Sequence, residues 1–412
     1  MKPTTDHWAP ASWRLEMPVR RFEASRGTNE TYLGGIQGES ARMGRMGLTF
    51  RAAHDKITPF HRATMPEGVA RACFNEPHFA PIAGLAEAIA AEIPHLNEYG
   101  SRAEQTSRNI ARAHGTDPER VLLGSGSMDL IRALVGSVCE PGDEVVVSWR
   151  SFEGYVDACH AYAAEPVRVP TTADGSHDVD ALLAAITART RILLLASPNN
   201  PSGKALTRDQ LARLIAEVPS RVVLALDEAY SEFASSPRAG FVAPMERDLM
   251  KTPENVVVLR TLSKGAALAG LRVGYLLADA RVVQAVAKMR TQNGVDRLAV
   301  AAAEHCFSPD GLAQIEDRVE WIKAERQRIE RTLRDRMERA EIDGKPFIDI
   351  VHSDGNFVWL PVGERADELR DHLIETARVN PRAYPGEGVR YTVIEEPRND
   401  AFIDAVAEWA TR

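Results

Sequence analysis

Lys264 stands in Thr261-Leu-Ser-Lys-Gly265, with Arg272 eight positions further on. A lysine amine that has shed its proton attacks carbonyl carbon and forms a Schiff base with an aldehyde. Upstream, Asp227 and Tyr230 share Asp227-Glu-Ala-Tyr230, and Asn200 lies in Ser197-Pro-Asn-Asn-Pro-Ser-Gly203. A carboxylate beside a ring nitrogen keeps that nitrogen protonated by opposite charge. A phenol and an amide can hydrogen-bond an oxygen on the same ring. Gly124-Ser-Gly-Ser127 opens an apolar helical stretch, so its backbone amides and the helix dipole are available to a phosphate. Serine, threonine and arginine side chains can complete such a cup. Taken singly, each segment has an ordinary reading as a turn or a helix cap, and GSGS is not the GxGxxG dinucleotide fingerprint.

These segments follow short apolar runs. Val121–Leu123, Glu144–Ser148, Pro166–Pro170, Ile192–Ala196, Val222–Leu226, Val256–Leu259 and Arg272–Leu277 read as strands. Helical patterns at 82–93, 101–114, 127–138, 151–163, 178–188 and 207–217 alternate with them. Continuous apolar strands between amphipathic helices predict an α/β fold with a mostly parallel central sheet covered on both faces. Ligands of such sheets bind beyond the carboxyl ends of the strands, where the polar residues above stand. Beyond residue 296, Ile315, Val319, Ile322, Ile329, Leu333 and Met337 recur at helical spacing. Glu325, Arg326, Arg328, Glu330 and Arg331 fill the other faces, predicting a long solvated helix with ion pairs. Strands at 356–361 and 388–394, with helices at 364–377 and 398–411, complete a smaller α+β domain. The expected organisation is an arm over 1–65, a large domain over 66–295 and a small one over 296–412.

Of the 412 residues, 44% are hydrophobic and 26% charged, which excludes a disordered chain, a collagen-like fibre and a membrane bundle. The net charge of -8 offers no general attraction for nucleic acid or an anionic membrane. Cys73, Cys139, Cys159 and Cys306 show no CxxC spacing, and the eleven histidines form no HExxH pair, so no metal is expected. Arg20-Arg21 is followed by a polar stretch, unlike an export signal, and no apolar run approaches the length of a membrane span. A reducing cytoplasm is the expected compartment.

Together, a Schiff-base lysine, a ring-nitrogen carboxylate, two phenolic-oxygen partners and a phosphate cup describe pyridoxal 5′-phosphate. The chain resembles fold-type-I pyridoxal-phosphate enzymes of the aspartate aminotransferase superfamily, and within it the histidinol-phosphate aminotransferases. The resemblance rests on LLGSGSMDLI (122–131), SPNNPSG (197–203), LDEAY (226–230), TLSKGAALAGLRVGY (261–275) and YPGEGVRYTV (384–393), in the family's order.

The resemblance implies an aminotransferase that moves an amino group between an amino acid, or a histidinol-phosphate-like amine, and a 2-oxo acid. Lys264 would hold the cofactor and carry the proton between substrate and cofactor. Asp227 would pair with the ring nitrogen, and Tyr230 and Asn200 with the phenolic oxygen. Phe152 would stack on the ring. Ser127, the backbone of Met128, Thr261, Ser263 and Arg272 would hold the phosphate. Tyr99 would reach the phosphate of a neighbouring subunit, making a homodimer with shared active sites. Arg390 would grip the substrate's acidic group, and Arg382 would read a second, distal one. The chain departs from the family's pattern at Ser125, Met128, Arg150-Ser151, FNEPHFAP (74–81) and Ile394-Glu395, places where substrate side chains are read. Two alternatives stay open: a same-fold enzyme with another reaction (decarboxylase, lyase, cyclase or amino-acid oxidase), and a non-catalytic binding protein on this fold.

Overall fold

Val145, Val146 and Val147 are all fully buried, yet they face opposite ways. Val145 and Val147 join one hydrophobic cluster and Val146 another, as the two-residue period of a strand requires. Ile192 and Leu194 divide from Leu193 and Leu195 in the same manner. A strand apolar on both sides must lie in a sheet covered on both faces.

The computed structural model describes residues 50–57, 65–99, 103–235, 254–339 and 348–410. The chain divides into Met1–Arg51 and Ala52–Arg412, and every described strand and α-helix lies in the second unit. Most of the expected arm, at 1–49 and 58–64, lies outside the described residues. The strands are β1 Ala70–Ala72, β2 Val121–Gly124, β3 Glu144–Trp149, β4 Glu165–Pro170, β5 Thr190–Ala196 and β6 Val223–Asp227. They continue with β7 Val256–Thr261, β8 Gly274–Leu277, β9 Phe357–Gly363, β10 Val379–Tyr384 and β11 Glu387–Thr392. The α-helices are α1 Leu85–Ala90, α2 Ala103–His114, α3 Ser127–Val138, α4 Gly154–Ala161, α5 Val179–Ala184 and α6 Arg208–Glu217. They continue with α7 Ala280–Met289, α8 Arg297–Cys306, α9 Pro309–Arg339, α10 Ala366–Thr376 and α11 Glu396–Ala410.

A seven-stranded sheet has the order β2-β8-β7-β6-β5-β3-β4. The pairs β4–β3, β3–β5, β5–β6 and β6–β7 are parallel, and β8 runs antiparallel to both its neighbours. This is the expected mostly parallel α/β sheet. One face packs Leu130 and Ile131 of α3, Tyr155 and Ala158 of α4 and Val286 of α7; the other packs α2, α5, α6 and α8. From β3 the chain builds outward to β4, returns to β5, and then builds the other way through β6 and β7. Crevices that bind ligands open at such a reversal, beyond the strands' carboxyl ends.

A second sheet has the order β1-β10-β11-β9, with β1 parallel to β10. The sequence pattern predicts neither β1 nor β10. β1 has three residues, and β10 reads Val-Asn-Pro-Arg-Ala-Tyr, where a proline and an arginine hide the strand. The helix expected over 178–188 is six residues, with Asp178 capping the amide of Ala181. In α9 the six spaced apolar residues are buried as expected, but the opposite faces are not uniformly solvated. Glu325, Arg326 and Glu330 are buried as well, and Arg326 donates to the carbonyls of Phe233 and Gly355. A cation that satisfies backbone carbonyls can be buried at a helical spacing that looks like a surface stripe. Among the described residues, no helix is long and apolar enough to cross a membrane, and no group of His, Cys, Asp or Glu could hold a metal ion.

Candidate active site

β6 ends on Asp227, whose neighbours in register are Ala196, the last residue of β5, and Leu259 of β7. Lys264 follows β7 by three residues, and its Nζ donates to the carbonyls of Phe74 (2.9 Å) and Asn75 (3.0 Å). Desolvation, reinforced by the charge of Arg390, lowers its pKa from 10.5 to about 7. A lysine so placed is a free amine over much of the neutral range and can act as nucleophile or base.

Asp227 is buried, and burial pushes its pKa up to about 6. Two hydrogen bonds oppose that shift: the Tyr155 hydroxyl donates to Oδ2 at 2.7 Å and the Ala229 amide to Oδ1 at 3.1 Å. Each carboxylate oxygen accepts more than one bond, so Asp227 can still take a further donor. Beside it, the Tyr230 hydroxyl accepts from Asn75 Nδ2 at 2.9 Å, and the Tyr230 ring lies 5.7 Å from Lys264 Nζ. Burial raises the Tyr230 pKa to about 12, so it stays protonated and remains a donor.

Arg390, on β11, is 4% exposed. It donates to Asn200 Oδ1, to the Tyr384 hydroxyl (3.0 Å) and to the Cys73 carbonyl, while its Nε has no partner. Among the described residues no carboxylate pairs with it. A buried guanidinium without a counter-ion, carrying an unsatisfied N–H, is electrostatically incomplete until an anion arrives.

A second uncompensated cation lies at the start of α3. The helix is capped by Gly126 with no side-chain bond to its first amides. Gly126 has φ +80°, a conformation that favours glycine, and a Cβ there would stand 2.5 Å from Arg272 Nη2, so a side chain at this position would push the guanidinium aside. Arg272 donates to Ser263 Oγ at 3.4 Å and to the Ala269 carbonyl at 3.1 Å, with no carboxylate partner among the described residues. The Thr261 hydroxyl donates to Ser263 Oγ at 2.9 Å. Free helix amides, Ser127, two further hydroxyls and an arginine form a cup that fits a phosphate dianion.

Residues 71–406 match the family Aminotransferase class I and II. The chain belongs to the class I and II aminotransferases. It is 39% identical over 350 residues to an aromatic amino acid aminotransferase of Rhodococcus opacus (strain B4), covering 85% of this chain and 92% of that one. An aromatic amino acid aminotransferase of Thermobifida fusca (strain YX) is 35% identical over 370 residues, covering 88% and 97%. The solved histidinol-phosphate aminotransferase of Sinorhizobium meliloti, in complex with pyridoxal-5′-phosphate, superimposes with a TM-score of 0.75 at 26% identity, covering 89% and 99%. The fold is therefore the aspartate aminotransferase-like fold type I.

In this aminotransferase, Lys264, Asp227, Tyr230 and Asn200 follow or end strands β5–β7 of the large sheet, Arg390 reaches Asn200 from β11 of the second sheet, and Ser127, Thr261, Ser263 and Arg272 lie around the helix start. The Phe152 ring meets Tyr155 edge-on at 5.5 Å, one ring away from Asp227. Met128 Sδ and Phe152 converge on Gly154, within 3 Å of where a Cβ would stand. Arg382 sits directly opposite Arg390 on the neighbouring strand but is paired with Glu153 at 3.0 Å. Tyr99 is 83% exposed and touches none of these side chains among the described residues. Four contributors escaped the sequence: Tyr155 under Asp227, Asn75 on Tyr230, Tyr384 beside Arg390, and Glu232. Glu232 Oε1 accepts the amide of Gly265, next to Lys264, at 2.7 Å. The YSEF and FNEP segments contain Glu232 and Asn75, but nothing in their spacing marks them.

Proposed function

We propose that this aminotransferase uses pyridoxal 5′-phosphate and moves the amino group of an aromatic amino acid to a 2-oxo acid such as 2-oxoglutarate. The observation that carries the reading is the pair of guanidiniums without carboxylate partners among the described residues, Arg390 and Arg272, whose charges both act on Lys264. Two anionic groups are called for, one on the substrate and one on the cofactor. The substrate's aromatic class rests on the names of the relatives at 35–39% identity.

The residues fit the cofactor. Ser127, the Met128 amide, Thr261, Ser263 and Arg272 would hold its phosphate. Asp227 would take the ring nitrogen's N–H, with Tyr155 fixing the carboxylate. Tyr230 and Asn200 would donate to the phenolic oxygen, and Phe152 would cover the ring. Lys264 would bind it covalently. When bound, the cofactor supplies the electron sink that amino-acid side chains lack. The protein supplies the rest. Arg390 fixes the substrate carboxylate, which sets the direction of the Cα–H bond. Lys264, a free amine near neutral pH, would take the proton from the substrate Cα and deliver it to the cofactor's aldehyde carbon, on the other side of the amino nitrogen. The Phe74 and Asn75 carbonyls hold Nζ between these transfers.

Residues 66–295 would act as the cofactor domain and 296–412 as the small domain, to which β1 lends an edge strand. The working unit would be a cytoplasmic homodimer in which Tyr99 reaches the partner's phosphate cup; its exposure in one chain supports this. Histidinol phosphate is the second reading, favoured by the Sinorhizobium meliloti neighbour and by Arg382 facing Arg390. A donor screen with 2-oxoglutarate separates the two. Phenylalanine, tyrosine or tryptophan should give a kcat/KM at least about tenfold above that of histidinol phosphate. The reverse order would remove the aromatic reading, and 2-oxo acid formed from no donor would remove transamination.

A further inference from the structure

The turn Ser231–Phe233 follows Tyr230 directly, and its middle residue, Glu232, is 3% exposed. Glu232 Oε1 accepts the Gly265 amide at 2.7 Å, and a Cβ on Gly265 would stand 2.8 Å from the same oxygen. The loop after β7 therefore lies against this carboxylate at the residue next to Lys264. Within that loop the Ala267 amide donates to the Lys264 carbonyl at 2.9 Å and the Leu268 amide to the Leu262 carbonyl at 2.9 Å. Those two bonds set the loop's shape; the Glu232 bond sets its place against the segment that carries Asp227 and Tyr230. The turn is itself held: Arg326 Nη1 donates to the Phe233 carbonyl at 3.0 Å, and Asp354 Oδ1 accepts the Ser235 amide at 2.7 Å. Arg260 on β7 acts on Glu232 but is bonded to Glu228, just past β6, through Nε at 3.0 Å and Nη2 at 2.7 Å. Tyr275 on β8 joins the same cluster, with its hydroxyl 2.8 Å from His114 Nε2 on α2. One guanidinium thus faces two buried carboxylates, and Lys264 is the further cation that acts on Glu232.

We propose that Glu232 is a positioning residue for Lys264: its carboxylate holds the peptide that follows the lysine, and its charge sets how readily the amine gives up its proton. The inference rests on the reading of Lys264 as the lysine that carries the cofactor, and adds what places and tunes it. A buried carboxylate is costly unless it is hydrogen-bonded, and the amide that compensates this one belongs to the Lys264 loop. With Gly265 held, the Lys264 Cα is fixed one peptide away, so the amine moves from a set point. Such placement matters steeply, because a misplacement of about 1 Å can cost about a hundredfold in rate. The charge acts on the amine's proton. Burial, Arg390 and Arg272 all favour the free amine, whereas Glu76 and Glu232 favour the ammonium. Glu76 is partly exposed and bonds Arg71 at 2.7 Å; Glu232 is buried, where its charge is less screened by water. Burial lifts the Glu232 carboxyl to about 7, with Arg260 opposing, so it titrates over the same range as the amine. Each group stabilises the charged form of the other, and loss of the carboxylate must lower the lysine's pKa further.

The test compares the full-length, cofactor-free enzyme as wild type, Glu232→Gln and Glu232→Leu. Glutamine keeps an oxygen for the Gly265 amide and lacks the charge; leucine lacks both. The first measurement is the pH midpoint of Lys264 acylation by a trace of amine-acylating reagent, read on the Lys264 peptide by mass spectrometry. In Glu232→Gln it should fall below the wild-type midpoint by about 0.3 pH unit or more, a twofold change in proton affinity. The second is the rate at which the visible band appears when pyridoxal 5′-phosphate is added about two pH units above the midpoint, where the amine is free in every variant. Glu232→Gln should capture the cofactor within about twofold of the wild-type rate, and Glu232→Leu about tenfold or more slowly. A midpoint that stays or rises in Glu232→Gln overturns the role of the charge. Capture by Glu232→Leu at the wild-type rate, or by Glu232→Gln about tenfold or more slowly than wild type, overturns the role of the hydrogen bond. If Glu232→Leu does not fold, both readings of Glu232→Gln still decide. Failure of the underlying reading shows elsewhere, as a wild-type enzyme whose Lys264 is acylated normally but which captures no cofactor on it.

Discussion

Lys264 offers a titration whose size the structure fixes. Its amine is lowered from 10.5 to about 7, first by burial and second by the positive charge of Arg390. At pH 8 a group of pKa about 7 is about 90% free amine, whereas an ordinary lysine is about 0.3% free, an advantage of roughly 300-fold. Brief exposure of the cofactor-free enzyme to a trace of amine-acylating reagent, across a series of pH values, would report this. The Lys264 peptide is quantified by mass spectrometry and normalised to its own high-pH plateau, which cancels differences in reagent access. The midpoint should fall near 7. In Arg390→Gln a neighbouring positive charge is gone, the ammonium form is less disfavoured, and the midpoint should move up. A midpoint at the ordinary lysine value would refute the claim that the site desolvates this amine. A downward move in Arg390→Gln would refute the claim that Arg390 acts on it.

Asp227→Ala removes the buried carboxylate that would take the ring nitrogen's N–H and should slow Cα proton exchange of phenylalanine in heavy water, followed by NMR, by about a thousandfold or more; exchange at the wild-type rate would take Asp227 out of the mechanism. Gly126→Ala puts a Cβ 2.5 Å from Arg272 Nη2 on a backbone at φ +80°, and should weaken pyridoxal 5′-phosphate binding, measured by absorbance titration, by about tenfold or more; unchanged affinity would move the phosphate elsewhere. If Tyr99 acts across a subunit boundary, mixing Tyr99→Phe with Lys264→Ala dimers after dissociation should restore activity above both parents, and proven subunit exchange without that gain would contradict a shared site.

What the sequence discloses depends on where physical constraint is local. β5, β6 and β7 announce themselves because a strand buried on both faces must be apolar throughout. The polar residues that end those runs stand out against them, which is why Asp227, Asn200 and Lys264 are legible from the sequence alone. Tyr155 is not, because its hydroxyl meets Asp227 from 72 positions away and its own surroundings read as an ordinary helix face. Asn75 reaches Tyr230 across 155 positions, by a contact that no periodicity encodes. Arg382 shows the same limit from the other side: its spacing from Arg390 is legible, but its pairing with Glu153, 229 positions away, is not. β10 is hidden because its proline and arginine argue against a strand, and the neighbours that overrule them are supplied only by the folded sheet. Glu325, Arg326 and Glu330 read as a solvated stripe because the carbonyls of Phe233 and Gly355 that accept from Arg326 Nη1 come from distant segments.

The claim on which the rest depends is that Lys264 is the residue that carries pyridoxal 5′-phosphate. Reducing the purified enzyme with borohydride fixes any Schiff base as a stable secondary amine, and peptide mass spectrometry then locates it. The account predicts one phosphopyridoxyl group per chain, on the peptide that contains Lys264, and none in Lys264→Ala. A phosphopyridoxyl group on any other lysine would contradict it.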